Sequence, residues 1–428
     1  MADSTEHTSA NGLGRFFSTG LTIAAGDALS LVSGAVFVIA LARLAGAETL
    51  GRFSFVLALA GIAQTICDAG FDITLPRTIG AEPAYARTET RKALGLKSAM
   101  CAIVLPVVLV FAMAKDGTDL PFSLLMILDV VPSTLSYALV CSLRGLRRSD
   151  EAARINAAYN GVPYLLAAGS LVLSPSLPLC AALLLAGDVL KFIHLRTLFM
   201  RVAPPDTHGT ETASLPLLTR LGSLWSEQGS VTSVNIISSL LVRLPVVMLG
   251  WIGTDTFAGY YSAAARFTTA ARILPGAFLH SILPGYAKRQ ADAPRIRAVI
   301  VSTTLASASV GVLLALVAPM LMEWTFRFAE SVSILRVLSI GFIVLSIKTV
   351  LEGFLLATHH ERIVTLVLVV TMLLAAMGYA LSARVSALSV AWCTVAAELL
   401  ACIGFAVVLL RWSADAKRRS TVTDGGAI

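Results

Sequence analysis

The sequence contains too few charged residues to cover a protein that is surrounded by water. Asp, Glu, Lys and Arg make up only 14% of its 428 residues, whereas 56% are hydrophobic and the mean hydropathy is +0.80. A soluble domain usually carries about 25% charged residues. A mostly water-exposed surface is therefore excluded, and the composition predicts a chain that is embedded in a membrane.

The residue patterns of metal sites, disulfide frameworks and nucleic-acid surfaces are also missing. The six cysteines all fall inside apolar runs, and the six histidines form no H-x-x-x-H pattern. We therefore expect the cysteines to be small core residues, and we predict no metal and no cofactor. The formal net charge is +7, but a basic stripe with interleaved aromatic residues is absent, so no nucleic-acid partner is predicted.

The sequence does contain a series of apolar runs of roughly 20 residues, the length that crosses about 30 Å of hydrocarbon as a helix. Alternating barrel patterning is absent, so helices are the spanning element that satisfies the backbone. With the N-terminus inside, 23 of the 33 Lys and Arg residues fall in cytoplasmic segments and 5 on the opposite side. The positive-inside rule then predicts that both termini are cytoplasmic. The twelve predicted spans are about 16–42, 52–76, 96–114, 121–143, 153–174, 177–199, 223–250, 256–284, 298–321, 331–357, 362–382 and 386–410.

The chain divides into two halves of six helices. The longest polar interruption follows the sixth span, so we predict an N-terminal lobe of residues 1–200, a cytoplasmic linker of residues 201–222 and a C-terminal lobe of residues 223–428. A pattern of Gly, acid, Thr, large apolar, Gly, aromatic and Ser follows both span one and span seven, with an offset of 207 and one insertion. Asp188 and Glu398 form a weaker echo with an offset of 210. Such pseudo-symmetric lobes are typical of transporters whose site lies between them near mid-membrane.

Two short motifs carry a resemblance to a known family. An Ala-Arg-x-x-Gly-x-x-x-x-Gly turn follows the first span, from Ala42 through Gly46 to Gly51, and the second span ends in Asp68-Ala69-Gly70 with Arg77 beyond it. Here the chain resembles the Wzx-type polysaccharide (O-antigen) flippases of the multidrug/oligosaccharidyl-lipid/polysaccharide (MOP) superfamily. The match is most specific over residues 16–100. Such flippases often carry basic residues in the first helix, whereas this chain has Asp27 there.

The resemblance implies a V-shaped fold of two lobes in the bacterial inner membrane, with a central cavity lined mainly by spans one, two, seven and eight. It implies a flippase rather than an enzyme. The cargo would be an undecaprenyl-pyrophosphate-linked oligosaccharide, moved to the outer leaflet for O-antigen, lipopolysaccharide or exopolysaccharide synthesis. Membrane lipid and other polysaccharide-assembly proteins are the expected partners.

Three arginines within spans seven and eight are the predicted substrate site. A charge inside the membrane costs about 2.5–3.5 kcal/mol at a helix centre, so Arg243, Arg266 and Arg272 are functional candidates. The planar guanidinium suits bidentate binding of a phosphate, which a crossing pyrophosphate requires. The alternative is an arginine that pairs with a carboxylate or reaches outward to the interface.

Acids and helix-breaking residues within the spans are candidates for coupling and gating. Asp27, Asp68 and Asp72 could bind a coupling H+ or Na+, although Asp68 could instead pair with Arg77. Proline removes a helical hydrogen bond and kinks a helix, so the predicted hinges are Pro245, Pro275 and Gly276. Two further pairs, Lys348 with Glu352 and Asp188 with Lys191, are spaced as intrahelical ion pairs.

Two other functions remain open. A cation-coupled multidrug exporter of the same superfamily would use the same architecture, but it should favour acids over arginines in its cavity. An integral-membrane polysaccharide polymerase or acyltransferase generally needs a large extramembrane loop or a cluster of His, Asp and Glu. The outer loops of this chain are short, and such a cluster is absent from its sequence.

Overall fold

The computed structural model describes residues 6–68, 70–115, 117, 119–205, 217–272, 293–358 and 360–424. Within these ranges every regular element is helical, with a single 3-10 turn at Pro83–Tyr85. The α-helices are α1 Glu6–Asp68, α2 Phe71–Ala81, α3 Ala86–Met113, α4 Leu120–Leu128, α5 Val130–Gly145, α6 Ser149–Leu173, α7 Leu177–Val202, α8 Leu217–Ile252, α9 Asp255–Ala271, α10 Ala293–Thr325, α11 Glu330–Ala357, α12 Glu361–Ser382 and α13 Ala387–Asp424.

Nine helical stretches among the described residues are long and apolar enough to cross a membrane. One of them, Ala28–Asp68, has 41 residues, which at 1.5 Å per residue is about 60 Å, twice the hydrocarbon thickness. It therefore holds two of the predicted spans. The more polar α6 and the 17-residue α9 occupy the places of predicted spans five and eight. The arrangement is compatible with twelve spans.

Two glycines divide the N-terminal helices. Gly46 has φ 83° and ψ 177° inside α1, a backbone conformation that is essentially restricted to glycine. Gly70 has φ 79° and precedes α2, so the second span does not run unbroken over residues 52–76 as predicted. The glycines of both recognised motifs thus interrupt helices at the points where the chain needs a positive φ.

The chain forms two compact units. The first consists of Met1–Thr49 and Val56–Gln228, and the second consists of Leu50–Phe55 and Gly229–Ile428. In the first unit α5 packs against α2, α3 and α7. These helices bury a core that includes Ile79, Leu139, Leu143, Leu195 and Phe199.

The second unit is built around α11, which packs against α9, α10 and α13 and is buried along most of its length. Its buried Ser339 and Ser346 hydroxyls donate to backbone carbonyls four residues earlier, at 2.7 and 2.8 Å. These bonds satisfy polar groups that would otherwise be costly inside hydrocarbon.

The segment Leu50–Phe55 packs within the second unit, and Gly51 makes this possible. A Cβ atom on Gly51 would lie 1.7 Å from the carbonyl oxygen of Asp255 and 2.9 Å from the nitrogen of Gly259. Next to it the Arg52 side chain donates to Asp255 over 3.2 Å. Gly51 and Gly259 occupy equivalent positions in the two copies of the repeated sequence pattern. The two copies therefore pack against each other at these glycines.

Candidate functional site

Arg243 lies within a candidate membrane span that ends at Ile252. It is nine residues from the end of α8, which begins at Leu217. Its side chain is half-buried and donates to the hydroxyl and, over 3.4 Å, to the carbonyl of Ser239, one turn earlier on α8. Among the described residues Arg243 has no carboxylate partner. The neighbouring Pro245, a predicted hinge, lies inside α8, which continues to Ile252.

The two arginines of α9 differ in their surroundings. Arg266 is half-buried along the helix, whereas Arg272 caps its C-terminal end, where a positive charge is favourable. The Arg272 guanidinium lies 3.6 Å from the Glu398 carboxylate of α13. Arg272 therefore has the carboxylate partner that was the alternative to phosphate binding. The other predicted hinges, Pro275 and Gly276, lie outside the described residues.

Glu398 also holds a second cation, Lys348, which the sequence assigned to an intrahelical pair. The Lys348 ammonium lies 2.6 Å from Glu398, and the two side chains are only 9% and 13% exposed. The expected partner Glu352 interacts electrostatically with Lys348 without forming an ion pair, and accepts a hydrogen bond from Ser238 at 3.4 Å. Two cations thus share the Glu398 carboxylate inside the second unit. Lys348 and Glu398 are 50 positions apart, which explains why local spacing could not reveal this pair.

In the first unit Asp68 pairs with a buried lysine rather than with Arg77. The Lys97 ammonium lies 2.6 Å from the Asp68 carboxylate, and the Lys97 side chain is fully buried. The ammonium also lies 5.7 Å from the ring centre of Phe71 and 5.6 Å from that of Tyr137, within the range of cation–π attraction. Arg77 is exposed. Asp68 is therefore fixed by a structural ion pair, and the side chains of Asp27 and Asp72 lie outside the described part of the chain.

A further polar cluster of the first unit was not among the predicted site residues. Asp188 pairs with Lys191 at 2.5 Å, as the spacing predicted, and Lys191 donates to Asn160 at 3.0 Å. Asp129, between α4 and α5, interacts electrostatically with both Asp188 and Lys191. One Asp129 oxygen is buried without a hydrogen-bond partner among the described residues. An acid at the middle of an apolar run was the available signal for this cluster.

The described residues contain no group of three or more His, Cys, Asp or Glu side chains that could hold a metal ion. The charged groups described within the spans are the ion pairs, arginines and carboxylates given above.

A family model for polysaccharide biosynthesis proteins matches residues 20–290 of the chain. This range covers more than half of the sequence and confirms the family that the sequence motifs indicated. No curated protein sequence matches the chain.

Solved structures with the same fold are transporters or flippases rather than enzymes. An inward-facing multidrug resistance MATE family transporter of the MOP superfamily shares 14% identity over 91% of this chain and 95% of its own, with a TM-score of 0.69. The lipid II flippase MurJ, inward closed, shares 10% identity over 91% and 87%, with a TM-score of 0.64. A MOP superfamily transporter from Pyrococcus furiosus, with a binding pocket of reversed polarity, shares 14% over 92% and 94%, with a TM-score of 0.62. These similarities confirm the predicted all-helical membrane fold of the MOP superfamily.

Proposed function

Because the chain belongs to the polysaccharide biosynthesis protein family, we propose that it is a flippase for a lipid-linked oligosaccharide. It moves an undecaprenyl-pyrophosphate-linked sugar unit from the cytoplasmic to the outer leaflet of a bacterial inner membrane by alternating access, for surface polysaccharide synthesis. The fold supports this proposal, since it is shared by a protein that is named for flipping lipid II.

The observation that carries the proposal is the environment of Arg243. A guanidinium inside a span is costly, up to about 2.5–3.5 kcal/mol on insertion scales at a helix centre. Ser239 supplies hydrogen-bond acceptors but no negative charge. Arg243 therefore keeps an uncompensated positive charge among the described residues, which an anionic head group can neutralise. Its planar fork can donate two parallel hydrogen bonds to phosphate oxygens.

Arg272 and Lys348 are suited to a different step, because both already pair with Glu398. A diphosphate that approaches this centre has to exchange with the carboxylate. In the proposed cycle the head group first meets Arg243, with Arg266 on the next helix as the second predicted contact. It then competes with Glu398 for Arg272 and Lys348, while the sugar stays hydrated and the polyprenyl tail stays in lipid.

A second candidate is a cation-coupled multidrug exporter, the class to which one structure of the same fold belongs by its name. The proximity of Asp129 to Asp188 in the first unit favours it, because a cationic drug needs acids. The arginines of the second unit favour the lipid-linked oligosaccharide. Loss of surface polysaccharide without drug sensitivity in a deletion strain supports the flippase, and the opposite pattern supports the exporter.

The flippase is tested in a strain that lacks the protein, by surface polysaccharide and by pyrophosphate-linked precursor trapped on the inner leaflet. Complementation with Arg243→Ala should reduce export roughly ten- to a hundred-fold, which corresponds to the free energy of hydrogen bonds to a charged group. Arg243→Lys should restore part of it, because the charge remains but the fork is lost. Arg266→Ala is assayed alongside, and Arg362→Ala, at an exposed position on α12, is the control that should export normally. Full export by Arg243→Ala would show that Arg243 does not bind the head group.

A further inference from the structure

A groove on the first unit lies between α6 and α7, apart from the buried charges described above. Its cavity of about 300 Å³ is lined by Tyr159 of α6 and by Leu190, Ile193, His194, Thr197 and Arg201 of α7. The helix that forms most of it, α7, is itself a candidate membrane span that ends at Val202. The groove therefore extends along the outer face of a span to the membrane surface.

The groove changes from apolar to cationic along the helix axis. Leu190 and Ile193 are 54% and 53% exposed at one end, and Arg201 is exposed in the last turn of α7 at the other. Leu190 and Arg201 are eleven positions apart, which is about 16 Å along the helix. This length is comparable to one leaflet of a hydrocarbon core about 30 Å thick.

Polar groups lie in the middle of the groove. The His194 ring lies 3.4 Å from the Tyr159 hydroxyl and packs edge-on against the Tyr159 ring. His194 directly follows Ile193, and Arg201 adds a guanidinium seven residues, or about 10 Å, farther along the helix. No carboxylate is among the residues that line the groove, so the Arg201 end is cationic, and Tyr159 is an aromatic residue of the kind that favours membrane interfaces.

We propose that this groove binds one anionic phospholipid of the surrounding bilayer. The phosphate lies against Arg201, the ester groups lie beside His194 and Tyr159, and an acyl chain lies along Ile193 and Leu190. A free phosphate would leave the exposed apolar end uncovered, whereas a phospholipid matches both the charge and the length of the groove. This site does not depend on the flippase proposal.

The site is tested on the purified full-length protein by native mass spectrometry with titrated phosphatidylglycerol and phosphatidylcholine. We expect phosphatidylglycerol to bind more tightly, and Arg201→Gln to weaken its binding about five-fold, the value of one basic residue at an anionic membrane surface. Arg201→Lys should retain most of the affinity. Ile193→Asn should weaken binding through the acyl chain, with the charge unchanged.

Arg196→Gln is the matched control, because Arg196 is an exposed arginine of the same helix that does not line the groove. Unchanged affinity in this variant supports the site. Equal binding of both phospholipids, or an equal loss in Arg196→Gln and Arg201→Gln, would overturn it. Tighter binding of undecaprenyl phosphate than of phosphatidylglycerol would also overturn it, because the occupant would then be the polyprenyl carrier.

Discussion

Replacement of Glu398 by glutamine tests whether the carboxylate shared by Arg272 and Lys348 is a stabilising centre that a diphosphate can replace. The substitution keeps the size of the side chain but removes its charge. Lys348 and Arg272 then face each other's positive charge without the carboxylate that the structure places 2.6 and 3.6 Å from them.

Most of the expected effect comes from Lys348. Its side chain is 9% exposed, whereas that of Arg272 is 31% exposed, so water screens the arginine contact more strongly. Removal of one partner of a buried ion pair costs about 3–5 kcal/mol. We expect Glu398→Gln to lower the free energy of unfolding by about 3 kcal/mol, because the amide oxygen still accepts a hydrogen bond. The double variant with Lys348→Met should recover most of this loss, since it leaves no unpaired ammonium.

The assay is thermal unfolding of the purified protein in detergent, with and without a polyprenyl diphosphate. The diphosphate should stabilise Glu398→Gln more than the unaltered protein, because it no longer competes with the carboxylate. Glu151→Gln is the matched control, since it breaks an exposed pair with Arg148 that is worth about 0–1 kcal/mol. Equal stability of Glu398→Gln and Glu151→Gln, or equal diphosphate stabilisation with and without Glu398, would refute the reasoning.

Two further substitutions test the structural contacts. Asp68→Asn should cost about 3–5 kcal/mol by leaving the ammonium of Lys97 buried without its counter-charge, and adding Lys97→Met should restore stability; additive effects in thermal unfolding would contradict this coupling. Gly51→Ala should abolish stable accumulation of the protein, because its Cβ would lie 1.7 Å from the backbone oxygen of Asp255, whereas Gly95→Ala, with open space around the new Cβ, should accumulate normally; similar membrane levels of both variants would contradict it.

The membrane fold was predictable because long hydrophobic runs indicate membrane-spanning helices. Each span needs about 20 apolar residues. This requirement can be recognised from the local composition of the sequence, without knowledge of the tertiary contacts. The glycines of the first motif were also visible, since a Gly at position 46 permits a backbone that other residues avoid. The second motif ends the span at Gly70, whereas the boundary predicted from hydropathy, residue 76, runs past it, because hydropathy alone does not register a change in φ.

The candidate site was less predictable because its contacts are long-range. The sequence counted Lys97 among the cytoplasmic cations, since it lies at the edge of an apolar run, but the structure buries it against Asp68. Lys348 was assigned to Glu352 because residues four apart on a helix are neighbours. Its actual partner, Glu398, lies on another helix, and nothing in local spacing distinguishes the two acids. Arg243 stays a predicted intramembrane charge, and only the structure describes its contact with Ser239.

Asp188 and Glu398, which the weaker sequence repeat pairs with each other, also have comparable surroundings in the structure. Each acid lies on the sixth span of its own half and interacts with the fourth span of that half, Asp188 with Asp129 and Glu398 with Lys348. The charges differ, however. The first cluster holds two acids and one lysine, whereas the second holds two cations, which share Glu398, and a second acid, Glu352, which interacts electrostatically with Lys348. If a coupling H+ or Na+ is used, which stays a prediction, the first cluster is the one with negative charge to receive it. The second unit is the one suited to an anionic head group, because the charge of Arg243 is uncompensated among the described residues. The equivalent clusters of the two halves would then bind ions of opposite charge.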